Sequence, residues 1–395
     1  MKTIDDYNFK NKRALIRVDF NVPVDKDGNV GDANRIEAAV PTIKKILKDG
    51  GSVVLMSHLG RPKNNESKYS LEQIVGKVSE VLGTDVKFVN NCVGEVAEKA
   101  SNDLNPGEVL LLENLRYHEE ETEGDSDFAK QLSKLGDIYV NDAFGTAHRA
   151  HASTTVVAKY FEDKCFGYLL QKEIESLNKV LKSAEKPVTA ILGGAKVSSK
   201  ITVIENILGK VDHLIIGGGM AFTFIKARGG NVGSSLIEED KQELALEILE
   251  KAKKMGVEIH LPIDSVIADS FSEMANTNTT PIDDIPDGWM GLDAGPKTIE
   301  SFSNVIAKSK TILWNGPIGV FEMEAFSKGT IELGKAIGKA TENGAFSLVG
   351  GGDSVSAVKK FGLEDQMSYV STGGGAMLEM LEGKSLPGID AISGK

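Results

Sequence analysis

One pattern in the second half of the chain restricts the fold more than any other feature. An apolar run, a glycine run and an amphipathic segment follow one another four times, as VTAILGGAKVSSK (188–200), HLIIGGGMAFTF (213–224), FSLVGGGDSVSAV (346–358) and YVSTGGGAMLEML (369–381). The spacing between copies is irregular, which argues against a solenoid repeat. We interpret the copies as strand-to-helix turns of a parallel sheet, whose ligands bind beyond the carboxyl ends of the strands.

The first half also alternates strand and helix patterns. Short β-branched runs predict strands at Ala14–Val18, Val53–Ser57, Val109–Leu112 and Ile138–Val140. Pro41 is expected to open a helix that ends at Gly50. Helical spacing links Leu71, Val75, Val78 and Leu82.

The first half therefore predicts a parallel sheet of its own, separate from the sheet in the second half. A chain of 395 residues is long enough for two or three domains. The segment Tyr168–Lys186 predicts one long connecting helix that ends at Pro187. The predicted fold class is α/β, with two domains, each a parallel sheet covered by helices.

Composition narrows the classes of partner and compartment. The formal net charge of −12 argues against nonspecific binding to nucleic acid or to anionic membranes. Two separated cysteines, Cys92 and Cys165, indicate neither a disulfide framework nor a zinc cluster. The N-terminal MKTIDDYNFKNK lacks the apolar core of a signal peptide, and no apolar run reaches the roughly 18 residues of a membrane span. We expect a cytoplasmic protein without membrane or nucleic-acid partners.

The glycine turns point to a phosphate ligand. Glycine lets backbone N–H groups approach an anion, and the following helix adds the positive end of its dipole. No turn has the spacing G-x-G-x-x-G, and the G-K-S beginning at Gly383 has Leu378 where a P-loop needs glycine. Lys196 and Lys200 could contact phosphate oxygens, and Asp353 suits a hydrated magnesium ion. A single Gly-Gly turn is equally explained by tight strand–helix packing.

Arginine has an unusual distribution. Only 7 of the 45 basic residues are arginine, and six of these precede Ala150. Five of the six lie at or just after expected strand ends or helix starts: Arg17, Arg35, Arg61, Arg116 and Arg149. One such arginine is readily explained as a surface charge, but a group of them indicates a need for the bidentate guanidinium fork that binds phosphate and carboxylate. His148 and His151 lack a second cluster that would favour a metal site.

These motifs together resemble the phosphoglycerate kinase family. RVDFNVP, SHLGRPK, LLENLRYHEEE, DAFGTAHRAHAS, GGAKVS, WNGPIGVFE, GGGDS and STGGGA occur in the family's order along nearly the whole chain. The resemblance implies reversible phosphoryl transfer between 1,3-bisphosphoglycerate and MgADP, giving 3-phosphoglycerate and MgATP. It also implies a monomer in which two Rossmann-like domains face an interdomain cleft. The expected segments are a 3-phosphoglycerate domain at 1–170, an interdomain helix at 171–186, a nucleotide domain at 187–382, and a tail at 383–395 that packs on the first domain.

Matching the motifs residue by residue carries the family's sites onto this chain. The 3-phosphoglycerate site falls on Asp19, Asn21, Arg35, His58, Arg61, Arg116 and Arg149. The nucleotide site falls on Gly193, Gly194, Ala195, Lys196, Lys200, Gly217, Gly218, Leu292, Asn315, Pro317, Glu322, Gly350, Gly351, Gly352, Asp353 and Ser354, with Asp353 as the Mg²⁺ ligand. Four residues differ from those common in the family: Ser199, Tyr117, Ser354 and Ala294. The difference at Ala294 bears on the expected adenine pocket.

The chemistry of such a reaction needs no general base, because the acceptor carboxylate is already ionised at neutral pH. We assign to Arg35 and Lys196 the neutralisation of negative charge on the transferred phosphoryl group. The backbone N–H groups of Gly373, Gly374 and Gly375 and the magnesium ion are expected to assist. Hinge closure around Tyr168–Lys186 is expected to bring the reactants together. Three alternatives stay open here: a nicotinamide dehydrogenase, a noncatalytic sugar-phosphate binding protein and an inactive scaffold relative.

Overall fold

A computed structural model describes residues 2–394. The chain divides into two compact units: one contains the residues up to Glu175 and the segment from Ser385 onward, and the other is Ser176–Lys384. Among residues 2–394, no helix has both the length and the apolar composition needed to cross a bilayer.

The first unit is built on a six-stranded, fully parallel sheet. Its strands are β1 (Arg13–Arg17), β2 (Ser52–Met56), β3 (Val86–Val89), β4 (Val109–Leu112), β5 (Ile138–Asn141) and β6 (Lys164–Phe166), in the order β3-β4-β2-β1-β5-β6. The covering helices are α1 (Asn34–Lys48), α2 (Val75–Leu82), α3 (Gly94–Asn102), α4 (Glu119–Glu123) and α5 (Ser126–Ser133). The central strands are buried throughout, as parallel strands with both faces covered must be.

The four strands expected in this half are confirmed, with their ends shifted by one residue at most. The expectation that Pro41 opens a helix is wrong, because α1 begins at Asn34 and contains Pro41 in its interior. Ile36, Ile43 and Ile46 form one buried stripe that continues past the proline, while the Pro41 ring is exposed to solvent. Burial of that stripe outweighs the backbone hydrogen bond that proline cannot make.

Helix α6 (Tyr168–Leu181) ends five residues before the predicted end at Lys186. The segment after this helix is hydrogen-bonded to residues of the second unit. Thr311 Oγ1 donates to the Glu185 carbonyl, and the backbone N–H of Lys310 donates to the Pro187 carbonyl. Proline also disfavours helical backbone at the residue before it, so the chain leaves the helix early.

The second unit contains the second parallel sheet. Its strands are β7 (Val188–Leu192), β8 (His213–Ile216), β9 (Asn231–Val232), β10 (Glu258–His260), β11 (Asp264–Ala268), β12 (Thr277–Pro281), β13 (Asp284–Ile285), β14 (Met290–Ala294), β15 (Thr311–Asn315), β16 (Phe346–Val349) and β17 (Tyr369–Val370). Its helices are α7 (Ile201–Ile207), α8 (Met220–Ala227), α9 (Gln242–Met255), α10 (Pro296–Ile306), α11 (Lys328–Glu342), α12 (Gly352–Lys360) and α13 (Gly375–Leu381). The parallel sheet has the order β10-β8-β7-β15-β16-β17.

All four glycine runs follow strands of this sheet, so the predicted α/β class with two parallel sheets is confirmed. One element was not predicted: β12, β11 and β14 form a small antiparallel sheet. This sheet packs with α8 around Phe222, Ile225 and Ile267, a hydrophobic cluster separate from the main core of the unit.

A final short helix, α14 (Pro387–Ser393), belongs to the first unit although it comes last in the chain. The Gly388 N–H donates to the Ala147 carbonyl at 2.9 Å. A Cβ at Gly388 would lie 3.1 Å from the Ala147 backbone, so the close approach favours glycine here. The functional assignment of the two units and their predicted boundaries remains a prediction.

Candidate functional site

Three of the residues expected to bind substrate meet beyond the carboxyl ends of β1 and β2. Asp19 follows β1, His58 follows β2, and Arg35 lies in the first turn of α1. The Arg35 guanidinium donates to Asp19 Oδ2 at 2.9 Å, and Asp19 Oδ1 lies 4.0 Å from His58 Nδ1. The Asp19 carboxylate thus orients Arg35, whose side chain remains 42% exposed and free to contact a ligand, whereas His58 Nδ1 lies 3.2 Å from the Arg17 guanidinium.

The remaining residues of this set continue along the same edge of the sheet. Asn21 Oδ1 accepts a hydrogen bond from Gly60 N at 2.8 Å, and Arg116 donates to the Gly60 carbonyl at 2.7 Å. Arg61, Arg116 and Arg149 line one open cleft. We call Arg35, Arg61, Arg116 and Arg149 the arginine cluster. The structure therefore brings together the seven residues that the motifs indicated.

A buried chain of hydrogen bonds joins Arg17, Ser153 and Glu121 behind the cluster, and we call it the buried relay. It was not predicted as part of the site. Arg17 is 1% exposed and donates from Nε to Ser153 Oγ at 2.8 Å. Ser153 Oγ donates in turn to Glu121 Oε1 at 2.6 Å, and Glu121 is fully buried. Burial raises the pKa of Glu121, and the positive charge of Arg17 opposes that rise. The sequence offered one signal, since Arg17 and Glu121 both lie within quoted motifs, but their pairing is a long-range contact.

The electrostatics of this region favour an anionic ligand. Burial, followed by the charges of Arg17 and Arg116, holds the pKa of His58 well below its usual value, so this imidazole is neutral at pH 7. Burial, followed by the charge of Arg149, lowers the pKa of Arg116 to about 10. Beyond burial, the charges of Arg17, Arg116 and Arg149 contribute to these two shifts, and an anion would neutralise that concentration of positive charge.

The same positive charge predicts a dependence of stability on pH. Burial and then Arg17 lower the pKa of His151, which lies in the arginine-lined cleft, to about 4. Unfolding restores a pKa near 6.5, so only the unfolded state takes up a proton between pH 6.5 and pH 4. We expect the free energy of unfolding to fall as the pH is lowered from 6.5 to 4. Urea titrations at several pH values would measure it, and His151→Asn should flatten the curve; an unchanged curve would contradict this role.

In the second unit, the glycine turns pack directly on one another. Gly193 N donates to the Asn315 carbonyl at 3.0 Å, and Gly194 N donates to the Pro317 carbonyl at 3.1 Å. Met220 N, just after the second glycine run, donates to the Gly194 carbonyl at 2.9 Å. The turns after β7, β8 and β15 thus form one continuous backbone surface, and strand–helix packing explains part of the glycine content.

This packing predicts a large effect for one added methyl group. A Cβ at Gly193 would lie 2.0 Å from the Pro317 carbonyl oxygen and 2.6 Å from that of Gly316, both of them backbone atoms. Gly193→Ala should therefore lower the free energy of unfolding by about 1 to 3 kcal/mol and weaken nucleotide binding. Thermal unfolding with and without ADP would measure both effects. Gly76→Ala, where no atom lies within 4 Å, is the control and should be neutral or stabilising.

A cavity of about 680 Å³ opens beside these turns. Seven of the residues expected to bind nucleotide line it: Gly194, Ala195, Gly218, Leu292, Pro317, Glu322 and Asp353. Part of the cavity wall is apolar and was not predicted; it includes Phe222, Leu236 and Phe271. Leu236 and Phe271 are 50% and 62% exposed, so apolar surface is available to a planar ring system.

Other expected nucleotide residues lie around the cavity in a hydrogen-bond network. Lys200 Nζ donates to Asn315 Oδ1, and Asn315 Nδ2 donates to the Gly350 carbonyl at 2.9 Å. Ser354 Oγ accepts from Gly316 N. Burial lowers the pKa of Lys200, and Asp353 opposes that effect. Gly351, with φ of +92°, has a backbone that favours glycine, and Gly217 packs on Ile318.

The two lysines are arranged differently from the sequence interpretation. The four-residue spacing of Lys196 and Lys200 fits one turn of a helix, but α7 begins only at Ile201 and Lys196 lies in the preceding loop. Ser199 Oγ donates to the Lys196 carbonyl at 2.7 Å, which fixes this loop locally. Lys196 is exposed, whereas Lys200 is half-buried against Asn315.

The third triple-glycine run begins α13. The Gly373 N–H already donates to Ser371 Oγ at 3.0 Å, whereas Gly374 and Gly375 are exposed at the start of the helix. Gly374 has φ of +45°, which makes glycine the favoured residue there. Gly374 and Gly375 are therefore better placed than Gly373 to offer backbone donors.

The residues around Asp353 fit a magnesium ion. Asp353 and Gly352 are exposed in the first turn of α12, and the Asp353 carboxylate borders the cavity. Magnesium prefers hard oxygen ligands, keeps several waters and commonly uses one carboxylate together with substrate phosphates. A single exposed carboxylate beside a roomy cavity satisfies these requirements.

Comparison with known proteins gives a consistent result over the whole chain. A model of the family described as phosphoglycerate kinase matches residues 4–384. The phosphoglycerate kinase of Chloroherpeton thalassium is 53% identical over 393 residues, covering 99% of each chain. The cytosolic enzyme of Nicotiana tabacum is 52% identical, over 99% of this chain and 97% of its own. The solved phosphoglycerate kinase structure from Coxiella burnetii is 43% identical and has a TM-score of 0.91. The match covers 99% of this chain and 98% of that one. The chain belongs to the phosphoglycerate kinase family.

Proposed function

We propose that this kinase transfers a phosphoryl group reversibly between the acyl phosphate of 1,3-bisphosphoglycerate and MgADP, giving 3-phosphoglycerate and MgATP. The observation that carries the proposal is the division of the site residues between two units. One unit presents the arginine cluster, and the other presents glycine turns beside an apolar-walled cavity. An anionic three-carbon acid suits the first, and a nucleotide suits the second.

The arginine cluster would hold the phosphate and carboxylate of 3-phosphoglycerate. Arg61, Arg116 and Arg149 line the same cleft, and guanidinium groups bind such anions through two parallel hydrogen bonds. Asp19, Asn21 and His58 would complete the site, with Asp19 orienting Arg35 and Asn21 orienting the loop at Gly60.

The nucleotide would bind in the cavity of the second unit. Phe222 and Leu236 offer apolar surface to the base, and Glu322 offers a carboxylate to the ribose. Gly194 and Ala195 line the cavity, and their loop together with the ammonium group of Lys200 would face the phosphates. Asp353 would hold the magnesium ion, which when bound offsets negative charge on the nucleotide phosphates.

Transfer itself would depend on positioning and on neutralisation of charge. The accepting carboxylate needs no deprotonation at neutral pH, so no side chain has to act as a base. Arg35 and Lys196 would stabilise charge on the phosphoryl group, assisted by the N–H groups of Gly374 and Gly375. Both lysine and arginine remain accessible, since Lys196 is exposed and Arg35 is 42% exposed.

We also propose that the enzyme acts as a monomer in the cytoplasm. One chain carries both proposed ligand sites, so no second copy is needed to complete either. The cytosolic location of the tobacco relative supports the compartment.

An assay coupled to 1,3-bisphosphoglycerate consumption tests the proposed reaction. We expect ATP-dependent turnover with 3-phosphoglycerate and magnesium, and none when a phosphate-free three-carbon acid replaces it. A protein that binds 3-phosphoglycerate without turnover would instead be a binding protein, and one that binds neither substrate would be an inactive scaffold. Either result would contradict the proposal.

A further inference from the structure

A cluster of two histidines and a glutamate lies in the second unit, away from the residues assigned to the nucleotide. His213 begins β8, while Glu258 and His260 lie on the neighbouring strand β10. Glu258 is the register partner of His213, and Glu258 and His260 are two residues apart. Because side chains alternate along a strand, all three point to the same face of the sheet.

The three potential ligand atoms form a compact triangle. His213 Nδ1 lies 3.2 Å from His260 Nε2 and 3.4 Å from Glu258 Oε2, and His260 Nε2 lies 3.8 Å from the same oxygen. Tetrahedral zinc has ligands at about 2.0 to 2.2 Å, which places neighbouring ligand atoms roughly 3.3 to 3.5 Å apart. The observed separations bracket that value, so small side-chain rotations would complete the geometry.

The triangle is accessible from solvent, and a bound cation would replace the hydrogen bond between His213 Nδ1 and His260 Nε2. The side chains of His213 and His260 are 24% and 20% exposed, and that of Glu258 is 70% exposed, so a cation can enter from solvent. The nearby Asp212 carboxylate is occupied, because it accepts from Lys186 Nζ at 2.9 Å and from Val188 N at 2.8 Å.

We propose that His213, Glu258 and His260 form a binding site for a divalent transition-metal cation of the zinc class, with a fourth position open to water. Imidazole nitrogens suit zinc better than magnesium, which prefers oxygen ligands. The site is distinct from the glycine turns, because His213 begins β8 and Gly217 follows its other end, about 13 Å away by the rise of a strand.

Binding would join the edge strand β10 to its neighbour β8. A cation that binds the folded state and not the unfolded one stabilises the fold by mass action. The site is therefore expected to act on stability, with its effect visible in the absence of nucleotide and of 3-phosphoglycerate.

Zinc titration of the untagged, nucleotide-free chain tests the proposal, with a chelating dye as competitor. We expect one equivalent to bind and to raise the unfolding temperature. His260→Gln should lower the affinity on the order of 10-fold or more, since loss of a residue that only hydrogen-bonds to a zinc ligand already lowers affinity about 10- to 100-fold. His118→Gln, a histidine in the other unit, is the matched control and should leave affinity unchanged.

A second measurement on the unsubstituted protein keeps the test independent of variant folding. Cobalt(II) bound to two imidazoles, a carboxylate and water in tetrahedral geometry should give an intense visible absorption band, which zinc should abolish and magnesium should not. The proposal is overturned if zinc does not bind, if His260→Gln and His213→Gln bind it with unchanged affinity, or if bound cobalt shows only the weak octahedral spectrum.

Discussion

Arg35→Ala is expected to lower kcat on the order of 10²-fold or more while leaving the KM for ATP nearly unchanged. Arg35 lies in the unit that carries the arginine cluster, and Asp19 orients its guanidinium at 2.9 Å. A preorganised donor to the phosphoryl group in transfer, in the unit that does not bind nucleotide, contributes to the rate far more than to nucleotide binding. Steady-state kinetics with varied ATP and varied 3-phosphoglycerate would separate these effects.

Two further variants sharpen the interpretation of that result. Arg35→Lys keeps the positive charge but loses the fork, so its activity should lie between those of the alanine variant and the unsubstituted enzyme. Arg228→Ala removes an exposed arginine at the end of α8 and should leave kcat unchanged. Equal losses of turnover and of nucleotide affinity in Arg35→Ala would contradict the role assigned to this residue.

Arg17→Met is expected to lower the free energy of unfolding by about 3 to 5 kcal/mol, because it leaves the buried Glu121 carboxylate without the positive charge that offsets its burial. Arg17 and Glu121 are both buried, and the Ser153 hydroxyl connects them by two hydrogen bonds. Methionine matches the length of the arginine stem, so the loss of charge and hydrogen bonding dominates the effect. Equilibrium unfolding in urea would measure it.

A matched control lies at the other end of the same strand. Arg13 forms a direct ion pair with Asp137 at 3.0 Å, and both side chains are partly exposed. Arg13→Met should therefore cost only about 1 kcal/mol, as expected of a surface pair. If the two methionine variants had equal stability, the buried relay would not have the importance assigned to it.

The parts of the fold that could be predicted depend on short-range patterns. The glycine runs after β7, β8, β16 and β17 were predicted correctly as strand-to-helix turns, because positive φ and close backbone approach limit these places to glycine. Val109–Leu112 was predicted with its observed bounds because four consecutive apolar residues fit only a strand buried on both faces.

The parts that were missed depend on tertiary contacts. Pro41 suggested a helix start, yet the buried stripe on the opposite face of α1 extends the helix on both sides of it. The strands β11 and β12 were not predicted, and the exposed polar pattern TNTTP of β12 gives little hydrophobic signal. Their antiparallel pairing is what makes them strands.

The site divides in the same way. The arginine cluster was predictable because arginine is scarce and each member follows a strand end or begins a helix, where side chains converge in a parallel sheet. The apolar wall formed by Phe222, Leu236 and Phe271 was not, because these residues come from separate segments that only the folded unit brings together. The partnership of Arg17 with Glu121 was hidden for the same reason.

The central claim is that the acid and the nucleotide bind to different units of one chain. Calorimetric titration of Arg61→Ala with 3-phosphoglycerate and, separately, with MgADP tests this most directly, because Arg61 is exposed in the arginine-lined cleft of the first unit. The account predicts that the Kd for 3-phosphoglycerate rises on the order of 10-fold or more, as loss of a charged hydrogen bond of about 1.5 to 3 kcal/mol implies, while the Kd for MgADP stays unchanged. Equal weakening of both ligands, or weakening of MgADP alone, would contradict it.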